Sequence, residues 1–429
     1  MSIEFKHHVE LAVGRHGVIG RRDFLKGISL AGVAAGTLTW ADLVSLRANE
    51  LRREGMACIV LWMQGGPSQF ETFNPKPDHE NGGETKAIAT SVPGIQVADR
   101  FPRLARQMDR LAIIRSMTTK EGNHQRASFL MHTGYSPSAS VAYPALGAIA
   151  ADRLADAASD LPAFARIGPR FRNCGGGGFL GVEFDPFMIP KAGALPQNAK
   201  PATAVARYQR RLGLLKRLES GRSAPHVTDH RKLYQTASRM ILSPRMKAFD
   251  LNQEPASMRQ AYGDSEFGSG CLLARRLVES GVTFVEVSAG SWDTHADNFP
   301  RTQALADQVD GPAAQLLEDL ANRGMLERTL VVWMGEFGRT PRINARGGRD
   351  HFPKAFNVVL AGSNVRGGQV IGATNDAGTE IVDRPVPVED LFRSLCMSLK
   401  IDPDHENLSP IGRPITVVDG GEAITGLFS

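Results

Sequence analysis

Five short apolar runs punctuate the chain: ACIVLWM (57–63), LAIIRSM (111–117), VTFVEVS (282–288), TLVVWMG (329–335) and NVVLAG (357–362). Each is continuous rather than alternating, and Gly, Pro or Ser bounds it, which is the pattern of a strand covered on both faces. Between the runs, apolar residues recur at spacings of three and four. That spacing predicts helices over 99–111, 271–280, 304–324 and 388–400. The third ends at a glycine suited to a C-cap, and the fourth carries Glu389 and Asp390 near its start. Strands alternating with helices predict an α/β fold: a three-layer α/β/α sandwich around a mostly parallel sheet.

In such sheets, ligands bind beyond the carboxyl ends of the strands. The polar clusters fall there. GGPSQFE follows the first run, TKEGNHQR the second, WDTHADN the third and EFGRTPR the fourth. Loops 64–71, 118–126, 290–298 and 336–351 are therefore expected to face one cleft. Segment 150–265 breaks the rhythm with RNCGGGGFLG, a Pro-rich MIPKAGALP and the charged helical stretch VARYQRRLGLLKRLESG. It reads as an insertion or cap region on the domain. Its glycine run, 175–178, has no following Lys-Ser/Thr and is no P-loop.

Composition narrows the picture only a little. A chain of 429 residues, 42% apolar and 22% charged, suits one large soluble α/β domain. The formal charge of +5 is mild, Lys and Arg are spread along the chain, and no basic stripe with interleaved aromatics is present, so nucleic acid is not an expected partner. Cys58, Cys174, Cys271 and Cys396 are far apart and form no CxxC, which argues against zinc-finger ligation and a disulfide framework.

The first 48 residues read as an address. GRRDFLKGISLAGVAAGTLTWADLVSLRA pairs Arg21 with Arg22, then places Phe24, Leu25 and Lys26 before a weakly apolar run. The pattern resembles a twin-arginine export signal, and the run is too weak for a stable membrane span. Residues 1–48 are thus expected to engage the twin-arginine translocation machinery and to direct the chain to the periplasm or another extracytoplasmic space. The remaining domain is expected over 55–429.

Candidate chemistry sits in the strand-end loops. GSWDTHADN sets Asp293, His295 and Asp297 within five residues, and GRDHFP adds Asp350 and His351 after a glycine-rich turn. Carboxylate oxygen and imidazole nitrogen together suit a divalent metal ion such as Zn, Mn or Ca. Glu71 is a further candidate ligand. Ser68 offers a nucleophile, a metal-binding hydroxyl or a helix N-cap. Asn123, His124 and Arg126 stand where a helix begins after the second strand, a place suited to an anion. Arg339 offers either a clamp for a phosphate or sulfate or a partner for Glu336.

Taken together, LWMQGGPSQFETFNPKP, IATSVPGIQVADRFPRLA, DRLAIIRSM, NHQRAS, WDTHADN, GEFGRTPRIN, GRDHFP, GATNDAG and the terminal GRPI and DG stretches resemble the bacterial family known as domain of unknown function 1501. Its members are similar to alkaline phosphatases and sulfatases. The resemblance implies an alkaline-phosphatase-like sandwich whose loops hold one or two divalent ions, with a nucleophile after the second strand attacking a phosphate or sulfate ester. It matches Asp350 and His351 to one metal pair, and Asp293 and His295 to another. It places Asn123 and His124 near the nucleophile position, with no cysteine in NHQRAS, and Gln69 and Glu71 where the family has His and Asp. The expectation is an exported, metal-binding hydrolase of a small anionic ester. The alternative is a non-catalytic envelope binding protein that keeps the fold and a structural metal.

Overall fold

The computed structural model describes residues 11–12, 18–19 and 55–428, apart from 157, 170, 172–173, 194–198, 202, 221–224 and 411. The chain divides into two units, Met1–Glu54 and Gly55–Ser429. In the first, a ladder pairs Leu11–Ala12 with Val18–Ile19. The twin-arginine motif expected to direct export lies outside the described residues.

The second unit is built on a nine-stranded sheet. Its strands are β1 (Ala57–Met63), β2 (Leu111–Thr118), β3 (Phe164–Ile167), β4 (Phe187–Ile189), β5 (Phe284–Ala289), β6 (Thr329–Met334), β7 (Phe356–Ala361), β8 (Gln369–Ile371) and β9 (Val386–Pro387). The order across the sheet is β8-β2-β7-β6-β1-β5-β3-β4, with β9 also paired to β2. Every pairing is parallel except those of β7, which runs against both β6 and β2. The sheet is therefore mostly parallel, as the apolar runs predict.

Its two faces are both covered. Along β1, Ala57, Ile59, Leu61 and Met63 enter one apolar cluster, while Cys58, Val60 and Trp62 enter the other. Side chains alternate across a strand, so a continuous apolar run is required when both faces are buried. The first cluster is closed by α5 (Glu266–Glu279) and α6 (Asn298–Asn322). The second is closed by α1 (His124–Thr133), α2 (Leu146–Leu154) and α7 (Val388–Ser398). Three layers result.

Two expectations need correction. The helix expected over 99–111 is only a turn at Pro102–Ala105 and a 3₁₀ turn at Met108–Arg110, because the chain must enter β2 at Leu111. Segment 150–265 is not wholly an insert either. It supplies β3 and β4, whose short runs FARI and FMI carry too little pattern to stand out as strands. What lies outside the sheet includes the helix pair α3 (Val205–Leu218) and α4 (Pro225–Leu242).

Candidate metal centre

β1, β2, β5 and β6 point the same way, so their carboxyl ends share one edge. Register aligns those ends: Met63 is level with Ala289, and Trp62 with both Met334 and Ser288. The antiparallel β7 adds a consequence. A connection between antiparallel neighbours leaves and returns at the same edge. Residues 336–339 and 350–352 therefore meet there, with Arg339 paired to His351 in a two-residue ladder.

The loops are held close by fixed anchors. The Trp292 side chain is fully buried, lies edge-on to Trp333, and its amide donates to the Gln64 carbonyl at 3.1 Å. Gly65 adopts φ +116°, and a Cβ there would lie 2.4 Å from the Asp293 nitrogen. Glycine is what lets these two loops touch.

Four side chains converge on this edge. Asp293 Oδ1 lies 3.4 Å from His124 Nε2, 3.1 Å from His295 Nε2 and 3.5 Å from His351 Nε2. His295 Nε2 and His351 Nε2 are 3.0 Å apart. Each ring has its other nitrogen engaged by an acceptor. His124 Nδ1 is 2.7 Å from Glu336 Oε1, His295 Nδ1 is 2.8 Å from Asp350 Oδ1, and His351 Nδ1 donates to the Gly122 carbonyl at 2.9 Å. A carbonyl or carboxylate accepts, so each Nδ1 bears the proton, and a neutral ring then turns a lone pair on Nε2 toward Asp293. Bare lone pairs do not face one another and a carboxylate at these distances. A proton or a cation belongs among them.

The donor set fits a divalent ion. His124, Asp293 and His351 present ligand atoms that all lie within 4.8 Å of one another. Tetrahedral Zn with bonds of 2.0–2.1 Å would set neighbouring ligand atoms about 3.3 Å apart, close to the contacts around Asp293. His124 Nε2 is buried with no hydrogen-bond partner, as is Glu336 Oε2. Metal-binding histidines characteristically hand their second nitrogen to a carboxylate or carbonyl, the arrangement all three rings show.

Electrostatics follow from the neighbours. Burial works against charge on His124, but the hydrogen bond and charge of Glu336, with Asp293, outweigh it and leave its pKa raised. Burial, with the charges of Arg339 and His124, lowers that of His351. Burial would raise Asp293, yet the Arg339 hydrogen bond and charge hold it below the usual carboxylate range. Asp350 is lowered chiefly by its hydrogen bond from His295.

Several residues expected here stand elsewhere. Glu71 is fully buried and pairs with Arg349, Oε1 to Nη2 at 2.8 Å, so it is no ligand of this cluster. Ser68 has no exposure, and its Oγ accepts from the Phe70 amide at 3.3 Å. Asn123 caps α1, its side chain accepting from the amides of Gln125 and Arg126. Arg126 turns to Glu121, with contacts of 2.8 and 2.7 Å. Arg339 is buried, and its donors are engaged within the protein by partners other than Glu336. It donates to the carbonyls of Gly65, Gly66 and Arg349 and, through Nη2 at 2.6 Å, to Asp293. Asp350 acts on His295, and Asp297 sits at the N-cap of α6 with φ 51°. His124, expected as a nucleophile-position residue, stands among the candidate ligands. Three supports were missed: Glu336, which holds His124, Gln64, whose Nε2 donates to Glu336 Oε1 at 3.1 Å, and the Gly122 carbonyl, which holds His351; only the position of Glu336 after β6 signals one.

Over residues 56–428 the chain matches the model of the family described as "Protein of unknown function (DUF1501)". The chain belongs to that family. No curated protein matches it. Among solved structures, this DUF1501 chain is similar to the PsFucS1 sulfatase from Pseudoalteromonas sp., at 11% identity and TM-score 0.40, covering 83% of this chain and 72% of that one. It is also similar to the lipoteichoic acid synthase LtaP from Listeria monocytogenes, at 8% and 0.38, covering 87% and 80%. A third is the phosphonate monoester hydrolase of Agrobacterium radiobacter, at 14% and 0.34, covering 87% and 77%.

Proposed function

We propose that this DUF1501 chain is an exported, metal-binding hydrolase of a phosphate or sulfate ester. The observation that carries the metal reading is the set of three imidazoles whose Nδ1 atoms are each held by an acceptor while their Nε2 atoms surround Asp293 Oδ1. His124, Asp293 and His351 would hold the ion, with His295 beside them. A bound divalent ion supplies Lewis acidity toward an anionic oxygen and lowers the pKa of a water. The protein's own part is to hold the ligands in place and aim them. Arg339 holds the Asp293 carboxylate, Glu336 orients His124, and Asp350 orients His295. The ester class comes from the sequence resemblance and not from the site's geometry.

A second reading has its own support. Ser68 is enclosed and Asn123 is spent on a cap, so neither candidate nucleophile is presented to the cluster. A binding protein with a structural ion uses the same ligands. The experiment separates the readings. The purified chain should contain a divalent metal by elemental analysis. Asp293→Ala and His351→Ala should each lower metal affinity at least 10–100-fold, and Arg126→Ala should not. Chelation should lower the wild-type Tm and leave those two variants unmoved. Metal-dependent turnover of generic phosphate, phosphonate or sulfate esters would select the hydrolase; metal with no turnover selects the binding protein. A metal-free wild type indifferent to added Zn, Mn and Ca sinks both.

A further inference from the structure

The even spread of Lys and Arg expected from the sequence needs correction, because one segment concentrates them. Residues 205–242 hold nine Lys or Arg against two acids, Glu219 and Asp229, a net +7 in a chain of +5, so everything else nets −2. This segment is the helix pair α3 and α4, and α3 contains no buried residue. At 100° per residue, Tyr208, Leu212 and Leu215 share one side of α3, where they are half-buried. The Tyr208 hydroxyl meets Ser238 Oγ of α4 at 3.2 Å.

The other side is unlike an ordinary solvated face. Arg207, Arg210, Arg211, Leu214, Arg217 and Leu218 fall within an arc of about 120°. All six are exposed, and Leu214 and Leu218 show 51% and 64% of their surfaces. Among the described residues, none of these four arginines has an ion-pair partner. Leu233 and Tyr234 of α4 are exposed as well. Leucines with half or more of their surface in water contribute little burial to the fold.

We propose that the exposed face of α3, with α4 beside it, docks on anionic phospholipid membranes. Cationic heads meet lipid phosphates while the leucines enter the headgroup boundary, the geometry of an interfacial amphipathic helix. Arginine stems lie along the apolar stripe and carry their guanidinium groups outward. Leucine decides against nucleic acid, because a polyanion held by charge alone has no use for an apolar stripe. No helix among the described residues is long and apolar enough to cross a membrane, so the contact is peripheral.

Co-sedimentation of the full chain with vesicles tests this. The wild type should bind vesicles of equal parts phosphatidylglycerol and phosphatidylcholine, should ignore phosphatidylcholine alone, and should release as salt rises. Each arginine replaced by glutamine should weaken binding roughly fivefold, so Arg207→Gln with Arg210→Gln, Arg211→Gln and Arg217→Gln should abolish it. Leu214→Ser with Leu218→Ser should weaken it with charge unchanged. Both variants alter exposed positions and should keep the wild-type Tm. Residues 1–48 are common to all proteins, so binding through them would persist in the variants. Undiminished binding by the arginine variant, or wild-type binding to heparin or DNA but not to the anionic vesicles, overturns the proposal.

Discussion

Arg349 has no contact with water, and its charge is answered by Glu71, itself fully buried. The remaining donors reach the carbonyls of Thr340, Pro341 and Asn81, so one guanidinium ties the 336–351 loop to the segment after β1. Removing one partner of such a pair strands the other charge in the interior, at about 3–5 kcal/mol. Glu71→Gln should therefore lower stability by that order in chemical denaturation, yet leave bound metal per folded molecule unchanged. A loss of metal with unchanged stability would return Glu71 to the ligands. By contrast, Arg126 of the Arg126–Glu121 pair is exposed, so solvent screens that pair and it contributes little. At this scale the sequence was a partial guide. Asp293 and His351 were legible as oxygen and nitrogen donors at strand ends. The roles of Glu71, Arg339 and Asp350 were not, because a charge beside a candidate ligand in sequence says nothing about which partner it meets.

The loop between β6 and β7 shows what an element contributes. Gly348 packs so tightly that a Cβ would lie 2.1 Å from both the carbonyl carbon and oxygen of His295. Backbone cannot yield as a flexible side chain can. Gly348→Ala should push the 290–298 loop away, cost about 1–3 kcal/mol and reduce metal affinity; titration calorimetry reads the second effect. Wild-type affinity in this variant would mean His295 lies outside the site. Between α1 and the sheet, His132 Nε2 lies 3.2 Å from Glu286, and Arg166 Nε lies 3.0 Å from the same carboxylate. Burial opposes the charge on His132, but Cys174 and Glu286 outweigh it and push its pKa up to about 10. Burial likewise opposes charge on Glu286, but Arg166 and His132 hold its pKa down to about 2. The raised His132 stabilises fully below its ordinary 6.5 and loses that effect as pH rises through about 10. The depressed Glu286 stabilises fully above its ordinary 4.5 and loses that effect as pH falls through about 2. Denaturation midpoints should thus be highest between about 4.5 and 6.5, and Glu286→Gln should weaken both limbs. A midpoint that keeps rising above pH 7 in the wild type would contradict the pairing.

For the whole molecule, the outstanding expectation is export. Lysine lacks the planar fork of arginine and does not replace it where both guanidinium groups are read. Arg21→Lys with Arg22→Lys should hold the protein in the cytoplasm, as fractionation would show; normal periplasmic levels refute a twin-arginine route. This expectation rests on sequence, since the motif lies outside the described residues.

The apolar runs by themselves determined that the domain is α/β with a mostly parallel sheet buried on both faces, because a strand without an exposed side must be continuous in hydrophobicity. They also determined that the candidate residues gather at strand ends, because parallel strands bring their carboxyl ends to one edge. Tertiary structure alone decided the rest. β3 and β4 are too short to declare themselves, and β7 runs antiparallel for reasons of neighbour pairing that its composition does not encode. That reversal returns Asp350 and His351 to the edge where Asp293 waits. His124 stands in the ligand group because α1 begins beside Glu336, 212 residues away in the chain. Local pattern reports which residues are able to hold a metal; only long-range pairing selects those whose lone pairs meet.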